Sequence, residues 1–435
     1  MRNYFMILLI IIANAYSIGA QDIAQFRGPE RDGIFPDSGL LKEWPDTGPE
    51  LLFSTSGIGK GFSSAVLDEG ILYVTGMIDT LDYLSAIDEH GDIRWQKPYG
   101  RSWKNSFPDT RSTPTIENEY IYVLSGMGEV SCFSKTGEKI WYVNVDNDFE
   151  TTWHRWGVSE SLLIIDDMVI CTPVGKKASM IALNKHNGNL IWSAHPVPGR
   201  RSYVSPILYE FNDIRLILGK SSTDLFAVNP ENGTLEWTYS YYLLQPEKED
   251  DEGNEGQEDE DTEEKEEPEL GWIFTNTPIY HEDEIFITAG YDMAAAMLKL
   301  SPEGKSVSVK WIDHTFDNHH HGVVLVDGYI FGSNWYNNRD GRWVCMNWNT
   351  GEIQYVDEWR TKGNIIYADG LLYVYEERGN VGLVKPVKDG FEVISSFRIS
   401  DGEGPHWAHL SIYEKKLLVR HGNVVLVYNI ADSDI

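Results

Sequence analysis

The sequence predicts an all-β fold, an eight-bladed β-propeller of four-stranded antiparallel blades, on three observations. Short apolar strands alternate with polar turns along most of the 435 residues. The pattern returns about every 45 residues, the repeat length of propeller blades. A glycine near the end of most repeats is followed four positions later by an aromatic residue.

The repeat is clearest in two consecutive units, residues 63–96 and 112–143. Each unit contains four short segments with period-2 alternation, separated by residues that favour turns. Two separate β-domains would be the alternative, but eight repeats can be placed in one register. The sequence therefore predicts a single propeller domain over residues 49–435.

The glycine-to-aromatic spacing is the most regular element of the repeat. Glycine permits the positive-φ turn between the third and fourth strands of a blade. We expect the aromatic ring to fill the space between neighbouring sheets. The pairs are Gly91–Trp95, Gly137–Trp141, Gly188–Trp192, Gly233–Trp237 and Gly351–Tyr355.

The last repeat lacks a fourth strand, and residues 49–55 resemble a spare one. We expect this N-terminal strand to close the ring in the last blade, which removes an open sheet edge. Residues 21–48 are then a leader or cap segment. Residues 1–20 combine Arg2, an apolar run and small residues, and predict a signal peptide, with an uncleaved N-terminal anchor as the alternative. Export to the periplasm or beyond the cell follows, with no transmembrane span in the mature chain.

The chain is acidic, with a formal net charge of −31. Residues 245–269 hold a dense acidic run that interrupts the repeat between blades four and five. Because this run has almost no apolar side chains, we expect a disordered, solvated insertion, with weak calcium capture as an alternative. The charge also argues against a nucleic-acid partner, which needs a basic surface.

Several segments resemble a known repeat. "YLSAIDEHGDIRW", "MIALNKHNGNLIW" and "LFAVNPENGTLEW" resemble the pyrroloquinoline-quinone (PQQ) type of propeller repeat. "NHHHGVVLVDGYIFGSNW" and "WAHLSIYEKKLLV" resemble the PQQ-binding-like β-propeller repeat proteins. The resemblance covers nearly the whole mature chain and implies the fold far more strongly than the function.

Two relatives within this resemblance differ in activity. Quinoprotein alcohol dehydrogenases imply PQQ, a calcium ion and a disulfide between adjacent cysteines, whereas the outer-membrane assembly propeller lipoprotein implies a scaffold without cofactor. This sequence has no adjacent cysteine pair, no CxxCH haem motif and no lipidated cysteine after the apolar run. Cys132, Cys171 and Cys345 are expected to be buried thiols.

Setting the repeats in register gives one polar position per blade near the start of the innermost strand, where strands line the channel. A polar residue can serve there simply as a hydrogen-bonding strand entry. Charged or titratable groups are stronger candidates, so Glu160, His321 and His409 are the candidate catalytic residues. The eight positions are Ser64, Thr113, Glu160, Ser205, Thr277, His321, Asn364 and His409.

The loops before these strands would form the channel mouth. Arginines there could bind carboxylates, and aromatic faces could stack on a planar or sugar ring. Blade packing and structural ion pairs are the alternatives. The candidate ligand-binding residues are Arg111, Trp153, His154, Arg155, Trp156, Arg201, Tyr203, His319, Asn334, Trp335, His406 and Trp407.

Two functions are consistent with such a mouth. The favoured one is a binding or scaffold module, without a cofactor, that presents the mouth to an envelope protein, a peptide, a glycan or a small molecule. The alternative is a PQQ-dependent dehydrogenase that oxidises an alcohol or sugar with PQQ and Ca²⁺, where Glu160 or a histidine takes the substrate proton. Hydrolase and metalloprotease motifs such as GxSxG and HExxH are absent from the sequence.

The run His319–His320–His321 suggests a local metal site, but successive side chains of an extended chain point to opposite sides. We therefore expect His321, with His319, to face the channel and His320 to pack sideways or in solvent. No metal site is assigned. Any ion there would be shared with His409 and Glu160 from other blades.

Overall fold

The computed structural model describes residues 23–151, 155–244 and 273–432. It confirms an eight-bladed propeller in which every blade has four antiparallel strands, with one further short strand added in parallel to the sheet of blade seven. Two N-terminal strands, β1 (Ile34–Phe35) and β2 (Glu50–Ser56), precede the first blade. The described helical segments are α1 (Val145–Asp148) and a 3₁₀ turn at Tyr241–Leu244.

Blades one to four are four consecutive meanders, and their innermost strands come first. Their strands are β3 (Val66–Asp68), β4 (Ile71–Ile78), β5 (Leu81–Ile87), β6 (Ile93–Arg101), β7 (Thr115–Glu117), β8 (Tyr120–Leu124), β9 (Glu129–Ser134), β10 (Lys139–Asn144), β11 (Leu163–Ile165), β12 (Met168–Cys171), β13 (Ile181–Asn184), β14 (Leu190–Ser193), β15 (Ile207–Phe211), β16 (Ile214–Lys220), β17 (Asp224–Val228) and β18 (Leu235–Ser240).

Blades five to eight continue the same order until the last blade, which has three strands of its own. Their strands are β19 (Ile279–His281), β20 (Glu284–Ile287), β21 (Ala295–Leu300), β22 (Val307–Asp313), β23 (Val323–Val326), β24 (Tyr329–Ser333), β25 (Trp343–Asn347), β26 (Ile353–Asp357), β27 (Gly363–Ala368), β28 (Leu371–Glu376), β29 (Asn380–Val384), β30 (Val393–Arg398), β31 (Ser411–Tyr413), β32 (Lys416–His421) and β33 (Val424–Asn429).

The ring closes as the sequence predicts. Strand β2 pairs antiparallel with β33 and becomes the outermost strand of blade eight, with Glu50 opposite Asn429 and Ser56 opposite Val424. The first and last parts of the chain therefore share one sheet. Because this pairing completes the last blade, the closure depends on backbone hydrogen bonds between distant parts of the sequence.

The tryptophans of the repeat join neighbouring blades. The Trp95 indole donates a hydrogen bond to the Lys135 carbonyl of blade two (3.1 Å) and packs on Gly137. The Trp141 indole donates likewise to the Lys185 carbonyl of blade three (2.9 Å) and packs on the glycine of that blade. The spacing thus places these two rings, and likewise Trp192 on Gly233, where the next blade has no side chain.

Small polar residues link the innermost strands around the ring. The Ser64 amide donates to Thr113 Oγ1 (2.9 Å), the Thr113 amide to Ser161 Oγ (3.0 Å), and the Ser161 amide to Ser205 Oγ (2.9 Å). The hydroxyls are therefore structural. The predicted register is wrong by one residue in blade three, because Ser161, and not Glu160, occupies the linking position.

The segment from Ile23 to Phe35 lies inside the ring and contacts innermost strands on several sides. Ala24 bridges Ile116 of blade two, while β1 pairs in parallel with the end of β27 in blade seven. Phe35 is buried in the core between blades seven and eight. The chain thus fills part of its own channel.

Two predicted segments, the signal peptide (1–20) and the acidic insertion (245–269), lie outside the described residues. Within the described part of the chain, no helix has both the length and the apolar character that crossing a bilayer requires.

Candidate functional site

Two arginines of the N-terminal segment occupy the channel below the mouth. The Arg27 guanidinium donates to the carbonyls of Val323 (2.6 Å) and Ile365 (3.2 Å) and contacts His409 Nδ1 (3.2 Å). The Arg31 guanidinium donates to the carbonyls of Ser161 and Pro206 (both 3.0 Å) and of Leu162. Both side chains are buried, so the axis of the ring is occupied by the chain itself.

Burial shifts the pKa values of Arg27, Arg31 and His409. Removal from water lowers the pKa of Arg27 to about 10 and that of Arg31 to about 9, so both stay charged at neutral pH. Burial, together with the neighbouring Arg27 charge, lowers the pKa of His409 to about 3. His409 is consequently neutral, and its Nε2 lies 2.9 Å from the His320 carbonyl.

Glu160 lies in a closed ion-pair cluster at the inner side of blade three. Its carboxylate accepts hydrogen bonds from the Thr172 amide (2.9 Å), the Thr172 hydroxyl (2.6 Å) and Arg201 Nη2 (3.0 Å). Arg201 also pairs with Asp146. Burial raises the pKa of Glu160, while Arg201 acts against that shift. These contacts account for the buried Glu160 carboxylate as part of a structural ion-pair network.

The predicted residues Arg111, Trp156 and Tyr203 lie together at the mouth. The Arg111 guanidinium donates to the Trp156 carbonyl (2.8 Å) and to the carbonyls of Phe107 and Asp109, so it ties two rim loops together. The Trp156 amide donates to the Tyr203 hydroxyl (3.0 Å). Arg155 is exposed beside them, and the predicted Trp153 and His154 lie outside the described residues.

Asn334 and His406 hold loops in place. The Asn334 amide group donates to the Thr315 carbonyl (3.0 Å) and accepts from the Arg342 amide (2.8 Å). The His406 ring stacks on His421 with 3.6 Å between centroids.

The three consecutive histidines pack against one another. The chain bends at His320 and His321, and the ring centroids are 4.7 Å apart for His319 and His320 and 4.1 Å apart for His320 and His321. The expectation that neighbouring rings point to opposite sides is therefore wrong here, because this segment is not extended. His409 lies beside them, whereas Glu160 contacts Arg201 and Thr172.

A carboxylate from the next blade faces these rings. Glu377 Oε1 lies 3.1 Å from His321 Nε2 and 3.7 Å from His320 Nε2. Its other oxygen, Oε2, lies 3.0 Å from Lys362 Nζ. Sequence reasoning missed Glu377, although it directly follows the second strand of blade seven, as the predicted Asn334 does in blade six.

Aromatic rings form a continuous series over the mouth, which we call the aromatic arc. Phe107 lies centrally, with ring centroids 6.1 Å from Trp156 and 5.8 Å from Trp407, and is 54% exposed. Trp407 lies 5.5 Å from His320, which connects the two sides of the mouth. The arc consists of Tyr203, Trp156, Phe107, Trp407, His320, His319, Tyr291 and Trp335.

The arc brings together most of the predicted aromatic residues and adds two that sequence reasoning missed. Phe107 lies in the same pre-strand loop as the predicted Arg111, so its position in the chain was an available signal. Tyr291 follows the second strand of blade five, and only the fold brings it to His319 (4.6 Å) and Trp335 (4.9 Å).

PQQ is a planar tricarboxylate that would need cations for its carboxylates and oxygen ligands for Ca²⁺. Arg201 is held between Glu160 and Asp146, Arg111 is used by backbone carbonyls, and Glu377 pairs with Lys362 and faces imidazoles. These described groups do not fit PQQ with calcium, and no catalytic step through that cofactor is derived.

Structure comparison finds the same fold in proteins of different function. BamB from Moraxella catarrhalis matches with a TM-score of 0.59 and 14% identity over 88% of this chain and 99% of that chain. Quinohemoprotein alcohol dehydrogenase from Comamonas testosteroni matches with a TM-score of 0.64 and 10% identity over 92% and 79%. The computationally designed Ika8 protein matches with a TM-score of 0.55 and 11% identity over 88% and 100%.

At these identities the structural matches establish the fold alone. No curated protein matches the chain by sequence. The family profile described as outer membrane protein assembly factor BamB matches residues 80–354, which run from the first blade into the sixth. With most of its length covered by that profile, the chain belongs to this PQQ-like β-propeller family.

Proposed function

We propose that this protein is an exported binding scaffold of the cell envelope, without catalytic activity, that holds a protein or peptide partner on the aromatic arc. One observation carries the proposal. The channel mouth presents contacting aromatic rings, while the charged groups Glu160, Arg201 and Arg111 are already held by contacts within the chain.

A surface of this kind suits a protein partner. Tryptophan, tyrosine and phenylalanine dominate the binding energy of protein interfaces because they bury large area at a small cost in side-chain entropy. Because Arg27 and Arg31 fill the axis, a partner would bind across the mouth rather than enter the channel.

Membership of this family also supports a scaffold function. The profile that matches this chain is described as an outer membrane protein assembly factor, a name that agrees with a protein partner. An envelope location agrees with that name and with the predicted signal peptide.

Site-specific photo-crosslinking in the native host tests the proposal. A photoreactive phenylalanine analogue at Phe107 should give one discrete protein adduct, which Trp407→Ala reduces at least tenfold. The control position is Leu190, on the outermost strand of blade three and 51% exposed. Equal adducts from both positions, or none from Phe107, would contradict the proposal.

The dehydrogenase alternative has a separate test. Purified protein titrated with PQQ and Ca²⁺ should show neither saturable absorbance changes nor a rise in melting temperature at tens of micromolar PQQ. Saturable binding that Glu160→Gln abolishes would replace the scaffold proposal by the dehydrogenase.

A further inference from the structure

A group of metal-ligating side chains lies at the mouth, beside and partly within the aromatic arc: His320 belongs to the arc, whereas His321 and Glu377 do not. His320, His321 and Glu377 each offer one ligand atom, and these atoms all lie within 4.8 Å of one another. We propose that the three residues bind one divalent transition-metal ion of the zinc class. The proposal rests on the geometry of these residues and does not depend on the partner proposed above.

The spacing of the ligand atoms fits a zinc ion. Zinc–nitrogen and zinc–carboxylate bonds of about 2.0–2.2 Å in a tetrahedral arrangement place two ligand atoms about 3.3 Å apart. Glu377 Oε1 lies 3.1 Å from one imidazole nitrogen and 3.7 Å from the other. Shifts of a few tenths of an ångström would bring these two pairs to that spacing, and the two imidazole nitrogens already lie within 4.8 Å of each other.

One ring nitrogen of His320, Nε2, is positioned to bind a ligand. Its Nε2 is buried and has no hydrogen-bond partner among the described residues, whereas its Nδ1 lies 3.1 Å from His319 Nδ1. If His320 Nδ1–H donates to His319, the Nε2 lone pair remains for a metal. A second residue that fixes the tautomer of a ligating histidine is the usual support of a protein metal site.

The Glu377 carboxylate is also held in position by a neighbouring side chain. Lys362, which is 1% exposed, lies 3.0 Å from Glu377 Oε2 and leaves Oε1 toward the imidazoles. Glu377 belongs to blade seven and the histidines to blade six, so the ion would join two blades. Three protein ligands leave a fourth position for water.

The ligand types select the ion. Two imidazoles and one carboxylate suit zinc and its neighbours, whereas calcium and magnesium require oxygen ligands. A neutral imidazole is the form of histidine that binds these metals.

Zinc titration of the full chain, stripped with a chelator, tests the proposal. Competition with a chromophoric chelator is carried out in millimolar Ca²⁺ and Mg²⁺, which saturate binding to carboxylates alone. We expect one tight equivalent of Zn²⁺, with His320→Ala and Glu377→Gln each weakening it at least tenfold. The control is His186→Ala, a half-exposed histidine on blade three.

Cobalt provides a second readout that does not depend on affinity. Co²⁺ bound in place of zinc should show the visible absorption of a tetrahedral site with nitrogen and oxygen ligands, and His320→Ala should remove it. If His321→Ala fails to fold, the proposal is still tested by His320→Ala, at a half-buried position, and by the isosteric Glu377→Gln variant. Zinc binding that is absent, or unchanged in both variants, would overturn the proposal.

Discussion

At the scale of single residues, Lys220 is a buried ammonium group in the core. It ends β16, is 1% exposed, and its Nζ has no hydrogen-bond partner among the described residues. The ammonium lies 5.1 Å from the Tyr241 ring and 5.4 Å from the Phe274 ring, so cation–π contacts are what support its charge. Burial lowers its pKa from 10.5 to about 7.

The lowered pKa of Lys220 determines how its contribution to stability changes with pH. Between pH 7 and pH 10.5 the unfolded chain binds more protons at Lys220 than the folded chain, so its contribution to stability rises with pH across that window. Lys220→Met should therefore stabilise the protein at pH 7, by about 1–3 kcal/mol, and the gain should shrink toward pH 10.

Thermal melts from pH 6 to pH 10 measure this difference. The exposed Lys176→Met variant is the control and should follow the parent protein at every pH. A Lys220→Met protein that melts below the parent at pH 7 would show that the ammonium has a stabilising partner.

At the scale of the element, a contact between the tryptophan of one blade and the glycine of the next recurs at four blade junctions. Gly188 has a φ of 73°, and a Cβ there would lie 2.7 Å from the Trp141 ring. Gly70 has almost the same φ, 75°, but nothing lies within 4 Å of its Cβ position. Substituting each of the two glycines therefore separates the cost of backbone strain from the cost of disturbed packing.

Gly70→Ala should cost about 1–2 kcal/mol, the price of left-handed backbone for an alanine. Gly188→Ala should cost at least about 1–3 kcal/mol more, because the ring of Trp141 must move and its hydrogen bond to Lys185 weakens. Denaturant midpoints of the two variants measure the difference. Equal midpoints would mean that the blade interface absorbs the added methyl group.

At the scale of the whole molecule, the N-terminal segment is an internal brace of the ring. Arg31 donates to backbone carbonyls of blades three and four, and Arg27 to those of blades six and seven. These carbonyls lie on the channel side of innermost strands, where a lost donor leaves buried acceptors without partners.

Arg31→Met should therefore loosen the brace and lower the free energy of unfolding by about 3–5 kcal/mol. Hydrogen exchange at Ala24 and Gly33, whose amides donate to Ile116 and Arg27, should become faster. Lys42→Met, which removes a surface pair with Asp369, is the control. Exchange that is equally slow in both variants would show that β1 alone anchors the segment.

Much of the fold was predictable because its determinants are local. Turn residues and strand alternation recur in each blade and the Gly91–Trp95 type of spacing in most of them, and none of these needs knowledge of distant contacts. The site was less predictable. Glu377, Phe107 and Tyr291 carry no motif, and what matters about them is which neighbours the ring brings into contact.

The sequence by itself determined the number of blades, their four strands and the closing strand, since period and hydrophobic pattern depend on near neighbours in the chain. Only the tertiary structure decided the state of the polar groups. It paired Glu160 with Arg201, placed Arg27 and Arg31 in the channel, and folded the histidine run against Glu377. The physical reason is that pairing, burial and pKa depend on side chains from other blades, which one repeat does not contain.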